Sequence, residues 1–200
     1  NDHIGGAASL LNEIPANKVL TSVPDALEPY APEKCRAGQQ WTWDAVRFTI
    51  LSPGLNSPES DNDLSCVLKI DAAQISVLLT GDIEAGGEAW LLANQPEQLK
   101  ADILVSPHHG SHSSSTAEFL AAVKPRTILI SAGYRNSYGH PHPDIMARYR
   151  QSQANIYNTA NSGAISISAK AIYNQRALEA RYWHSKQPSG DNDGGIYSNR

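Results

Sequence analysis

Two apolar runs that each end in metal-binding side chains constrain this chain more than any other feature. The first, Val77-Leu78-Leu79-Thr80-Gly81-Asp82, closes on a carboxylate. The second, Ala101-Asp102-Ile103-Leu104-Val105-Ser106-Pro107-His108-His109-Gly110-Ser111, closes on adjacent imidazoles. Short apolar runs bounded by turn residues read as buried strands. A carboxylate at the end of such a strand is costly unless it is solvated, paired or metal-bound. The chain opens on a third fragment of this kind, Asn1-Asp2-His3-Ile4-Gly5-Gly6. The three corners predict one metal centre, with Asp2, His3, Asp82 and at least one of His108 and His109 as ligands. Asp82 as a bridging ligand would hold two cations about 4 Å apart, close enough to share one activated water.

Two further histidine groups flank these corners. His112 lies three residues beyond the paired imidazoles and strengthens their reading as a site. His140 and His142 alternate with prolines on a loop that also carries Asn136. Their expected role is to contact a phosphate oxygen or to protonate a leaving oxygen, with a solvated loop histidine as the alternative for His142.

Two hundred residues suit one domain with a sizeable core. Residues 1–186 are expected to form it, and 187–200, rich in Gly, Asp, Asn and Ser, to be a disordered tail. The 16 basic and 20 acidic side chains give a formal charge of -4, and no Lys/Arg block is present. That balance argues against a domain devoted to non-specific nucleic-acid binding, which depends on neutralising phosphates. It is compatible with a nuclease whose metal ions supply the positive field. No apolar run approaches 18 residues, so no membrane span is expected in this segment. The first residue is not Met and no signal-peptide pattern precedes the motifs, as in a piece of a longer protein.

Cys35 and Cys66 lack the spacing of a zinc knuckle. A disulfide between them would close a loop of about 30 residues, worth about 2 to 4 kcal/mol, and would mark an extracytoplasmic domain. Two buried free thiols are the alternative. Trp41 and Trp43 share one side of an extended segment. Packing in the core against a helix is their expected use, ahead of a nucleotide-stacking platform.

Periodicity and turn residues place helices at 4–14, 83–94, 117–123 and 144–151. Strands are expected at 18–22, 46–51, 65–70, 75–80, 127–131, 156–159, 163–168 and 180–183, besides the imidazole run. Hairpins between some strands and helices between others predict an α/β sandwich with mixed sheets.

Asp2-His3-Ile4-Gly5-Gly6, Leu78-Leu79-Thr80-Gly81-Asp82, Pro107-His108-His109-Gly110-Ser111, and Asn136 with Tyr138 and His140-Pro141-His142-Pro143 resemble the metallo-β-lactamase-like domain of the ComEC DNA-uptake channel family. The resemblance covers residues 1 to about 185, in family order. Cys35, Trp41-Thr42-Trp43 and Asp61-Asn62-Asp63-Leu64-Ser65-Cys66-Val67-Leu68 look like its Gram-negative branch. The resemblance implies an αββα fold, here lacking its N-terminal strands, and a site for two divalent ions, zinc or manganese. Asp2 and His3 match the end of the leading motif, whose first ligands would precede Asn1, so this piece alone is expected to be inactive. Asp82 matches the bridging aspartate, and His108 the last imidazole ligand, with His109 as the alternative. The segment around Asn62 and Ser65 falls where other members place a histidine, leaving that position to water, Asn62 or Asp63. The implied activity is metal-dependent cleavage of one strand of incoming DNA, with Asp2 also orienting the attacking water. The implied setting is the periplasmic side of an inner-membrane channel, whose membrane domain belongs to the same full-length protein. A non-catalytic DNA-guiding or assembly module and another hydrolase on the same scaffold are the competing readings.

Overall fold

The imidazole run forms an inner strand of a seven-stranded mixed sheet. The computed structural model describes residues 3–168 and 171–175. Asp2, the tail at 187–200 and the strand expected at 180–183 lie outside the described residues.

After α1 (Ala7–Glu13) come two short strands, β1 (Leu20–Thr21) and β2 (Glu33–Lys34), which pair in parallel. Then follow β3 (Gln40–Trp43), β4 (Val46–Ser52), β5 (Val67–Asp71) and β6 (Ser76–Leu79), an antiparallel meander. From β6 the chain changes habit. Helix α2 (Ala85–Asn94) leads to β7 (Ile103–Val105), α3 (Ala117–Val123) to β8 (Thr127–Ile130), and α4 (Pro143–Gln151) to β9 (Asn155–Asn158). Strands β6 to β9 are parallel neighbours, in the order β3-β4-β5-β6-β7-β8-β9. A short helix, α5 (Thr159–Ser162), precedes a separate antiparallel pair, β10 (Ile165–Ile167) and β11 (Ile172–Asn174).

Parallel neighbours need crossovers, and three successive right-handed crossovers in one direction put their helices on one face. The core shows this. Leu91 of α2, Phe119 and Val123 of α3, and Ile145 and Tyr149 of α4 bury against Leu78, Leu104, Ile128 and Ile130 of the sheet. The expected α/β fold with mixed sheets is present.

The meander, joined by turns alone, has no crossover helix to cover it. Here the expectation for Trp41 and Trp43 fails. Every residue of β3 is exposed, Trp43 to 69%, because β3 is the sheet's edge. Trp41 instead stacks on Phe48 of the paired strand, ring centroids 5.2 Å apart and planes nearly parallel. Helix α1 buries none of its residues, and Leu10 is 58% exposed. The strand expected at 18–22 shrinks to two residues, while β2 and β11 were not foreseen; both are short, and β2 carries only Glu33 and Lys34. Cys35 and Cys66 lie at disulfide distance, with Cα atoms 5.9 Å apart, joining the end of β2 to the start of β5. No helix among the described residues is long and apolar enough to cross a membrane.

Candidate metal centre

The turn after β6 needs glycine at 81. Its φ is +57°, and a Cβ there would sit 2.8 Å from Cβ of Ser65. Ser65 Oγ accepts the amide proton of Asp82 at 3.1 Å. The amide of His108 donates to the Gly81 carbonyl at 3.1 Å, so the turns ending two neighbouring parallel strands are tied directly. This contact brings the carboxylate corner and the imidazole corner together. Gly110 closes the imidazole turn at φ +81°, packed so tightly on Pro141 that a Cβ would lie 2.7 Å from it.

Three side chains converge. His3 Nε2 is 2.8 Å from Asp82 Oδ2 and 3.2 Å from His109 Nε2, and His109 Nε2 is 3.6 Å from Asp82 Oδ1. Ligand atoms of all three lie within 4.8 Å of one another. His109 Nδ1 is 2.7 Å from the carbonyl oxygen of Ser131. A carbonyl only accepts, so Nδ1 carries the proton and the neutral ring turns its Nε2 lone pair to the cluster. Metal-ligating histidines are commonly oriented this way. Asp82 Oδ1 is buried without a hydrogen bond. Two imidazole nitrogens and a carboxylate facing one point, with an orphaned oxygen among them, fit a divalent cation of the zinc or manganese class.

The other expected residues fall in three places. His108 does not join the cluster: its Nδ1 is 3.2 Å from Glu84 Oε1, without hydrogen-bond geometry. Of the imidazole pair, it is His109 that meets Asp82 and His3. Glu84 also accepts from Asn62 Nδ2 at 3.3 Å and from Ser113 Oγ at 2.8 Å. In sequence it read only as an acidic residue suited to a helix start. Its position two residues after Asp82 was the signal that it borders the same cleft.

Asn136 spends its polar atoms on its own loop. Its Nδ2 donates to the carbonyls of Gly133 and His140, at 3.0 and 2.6 Å, and its Oδ1 accepts from the His140 amide at 2.9 Å. That geometry ties the side chain to the shape of its own loop. His140 stands beside His108, ring centroids 5.7 Å apart, with its Nδ1 buried and unbonded. Burial, reinforced by His108 and His109, holds its imidazole below the usual value. His140 is therefore neutral at neutral pH, poorly suited to pairing with phosphate as a cation.

Asp63, one of three expected occupants of the vacant histidine position, does something else. Buried, it accepts from the amides of Glu84 and Gly87, both at 2.8 Å, and from Ser60 Oγ at 2.8 Å. It caps α2 from a distant loop, which explains why 86 and 87 are glycines: a Cβ at either would lie within 2.8 Å of its carboxylate oxygens. His112, His142 and Asp144 form a separate group, with His112 and Asp144 exposed and His142 half-buried. There His142 Nδ1 already accepts the amide proton of Asp144 at 3.2 Å, and the start of α4 disfavours a cation.

A family profile described as Metallo-beta-lactamase superfamily matches residues 1–133. Competence protein ComA of Neisseria gonorrhoeae is 33% identical over 190 residues, covering 94% of this chain and 27% of that protein. Recombination protein 2 of Haemophilus influenzae is 35% identical over 168 residues, covering 84% of this chain and 21% of that protein. The chain thus spans only about a quarter of the length of these relatives. A solved structure of an inferred metal-dependent hydrolase from Parabacteroides distasonis superposes with a TM-score of 0.53. It covers 80% of this chain and 71% of that one at 10% identity, a likeness of fold alone.

Proposed function

The chain belongs to the metallo-beta-lactamase superfamily, and on that premise we propose that it is the nuclease part of a larger DNA-uptake protein. Its reaction is metal-dependent hydrolysis of phosphodiesters in one strand of incoming DNA. The observation that carries this reading is the meeting of His3, Asp82 and His109 from three distant parts of the chain. The names of the competence and recombination relatives supply the substrate. The superfamily implies divalent metal binding. His3, Asp82 and His109, with Asp2 as a further ligand, would hold the two divalent ions, zinc or manganese, that we assign to this centre.

A divalent cation in this setting supplies charge neutralisation at a phosphodiester and lowers the pKa of water from about 15.7 toward 7. The chain's own residues set the geometry. Asp82 and His109 would hold the metal at the C-terminal ends of β6 and β7. Neutral His140 is the candidate to accept a proton from the attacking water and hand it on to the departing oxygen. The pairing of Cys35 with Cys66 supports an oxidising compartment, the periplasmic side of an inner membrane. The membrane channel of the same full-length protein is the proposed partner, and residues 1–186 the proposed hydrolase domain.

One observation favours the reading as a non-catalytic DNA-guiding module. Asp63 and Ser65, at the vacant histidine position, are both engaged in holding backbone amides. The test is metal content and cleavage of labelled single- and double-stranded DNA by the full-length protein and its Asp82→Ala form. Both metal and cleavage should fall together in the variant. Undiminished cleavage by Asp82→Ala takes the activity away from this centre, and no cleavage by the metal-loaded wild type overturns the nuclease reading.

A further inference from the structure

Glu88 lies in α2 with no solvent exposure, and the metal cluster does not include it. Its carboxylate accepts the backbone amide protons of Ser115 and Thr116, the latter at 2.7 Å. Beside it, the buried Tyr149 hydroxyl lies 2.7 Å from Ser106 Oγ and 2.6 Å from Ser115 Oγ. Arg148 donates to the Ser115 carbonyl, and Ser114 Oγ donates to the carbonyl of Pro107 at 2.9 Å. Residues 106 and 115, on either side of the imidazole turn, are therefore pinned at one buried point.

Between those pins the backbone is held where side chains seldom go. His108 and His109 have φ of +46° and +55°. Consecutive non-glycine residues in this region are strained and persist only where surrounding structure over-determines them. Burying a carboxylate is also costly, and it is retained where it satisfies groups that nothing else reaches. Here it satisfies amides at the end of the strained segment.

We propose that Glu88 and Tyr149 are positioning residues that clamp segment 106–115 and so keep His109 Nε2 opposite Asp82. The consequence for metal binding rests on the centre proposed above; the clamp itself does not. Burial pushes the Glu88 carboxyl up and the Tyr149 phenol up to about 12, so the tyrosine keeps its proton at any physiological pH.

The test separates positioning from plain stability. Amide hydrogen exchange is measured on the metal-free full-length protein for Tyr149→Phe, Glu88→Gln and a core control, Phe119→Leu. Cobalt(II) affinity and its visible spectrum are then read on the same proteins. The clamp variants should speed exchange at 106–115 at least about tenfold beyond the rest of the chain. They should weaken cobalt binding about 10- to 100-fold, the range for groups that orient metal ligands, and alter its spectrum. The control should change exchange only in proportion to lost stability. Proportional changes in all three overturn the clamp. If the full-length wild-type protein binds no cobalt, the metal reading fails while exchange still decides the clamp. Should Glu88→Gln not fold, Tyr149→Phe, which removes one oxygen, carries the comparison.

Discussion

Asp82 and His109 are delivered to the cluster by a different kind of support from His3. The first two end neighbouring parallel strands backed by three helices, and the Asp82 side chain is 13% exposed. His3 is 50% exposed and leads into α1, a helix that buries none of its residues. One part of the centre is thus held in place by the core, while the other hangs from a segment with little packing of its own. Sites bind well when their ligands are held before the ion arrives. The contrast therefore locates where metal affinity is secured and where it is open to adjustment.

The largest expected effect tests the contrast itself. Phe119→Ala, in the core behind the strand ends, should cost about 3 to 5 kcal/mol. Leu10→Ala, on α1, should stay within about 0.5 kcal/mol. Urea unfolding of both variants decides, and equal losses would mean that α1 is packed in solution. Next comes the covalent tie between the two regions. Replacing both Cys35 and Cys66 by serine should lower stability by about 2 to 4 kcal/mol, read from the same curves in the presence and absence of reductant. No effect of reductant would leave the regions tied by packing alone.

The third effect is on the ion. His109→Ala should lose cobalt(II) binding to the limit of detection, whereas His3→Ala should retain weakened binding, because the better-held ligand contributes more. The reverse order, measured by spectroscopic titration, would place the organised part of the centre at the N-terminus.

What the sequence made legible follows the same boundary. Helix 117–123 was read to the residue, because Thr116 caps it and Lys124-Pro125 ends it. The strand before Asp82 and the run ending in His108-His109 were clear because each is a local run of apolar side chains. Trp41 and Trp43 were misread because composition cannot say whether a strand lies inside a sheet or at its edge. The choice of His109 over His108 was also out of reach. It depends on a left-handed turn and on the Ser131 carbonyl, a partner 22 residues away. In the sequence Glu88 offers only a charge near a helix start; its partners at 115 and 116 come from the next crossover. Polar groups that act across crossovers leave no periodic trace.

The smallest effect sharpens the picture of the organised strands, since β6 and β7 are anchored at their far ends as well. Asp102, just before β7, accepts from the Ser76 amide at 2.9 Å and from Ser76 Oγ at 2.8 Å, at the start of β6. Burial pushes this carboxyl up, but the Ser76 bonds, with Arg126 and Lys69, outweigh it and hold Asp102 below its ordinary value. In such a case the unfolded chain binds the proton more readily than the folded one. The anchor's contribution is then present above the ordinary aspartate value of 3.8 and fades as pH falls through the lower folded value. Because the side chain is about one-third exposed, solvent reduces the effect to about a few tenths of a kcal/mol. Urea curves for wild type and Asp102→Asn should differ by that amount at pH 6 and converge near pH 2. Cobalt affinity should not change, since the substitution lies at the end of the strands away from Asp82 and His109. A gap that widened on acidification would show that the protonated carboxyl is the better anchor. A loss of cobalt affinity would show that the strands transmit strain along their length, and the two kinds of support would no longer be independent.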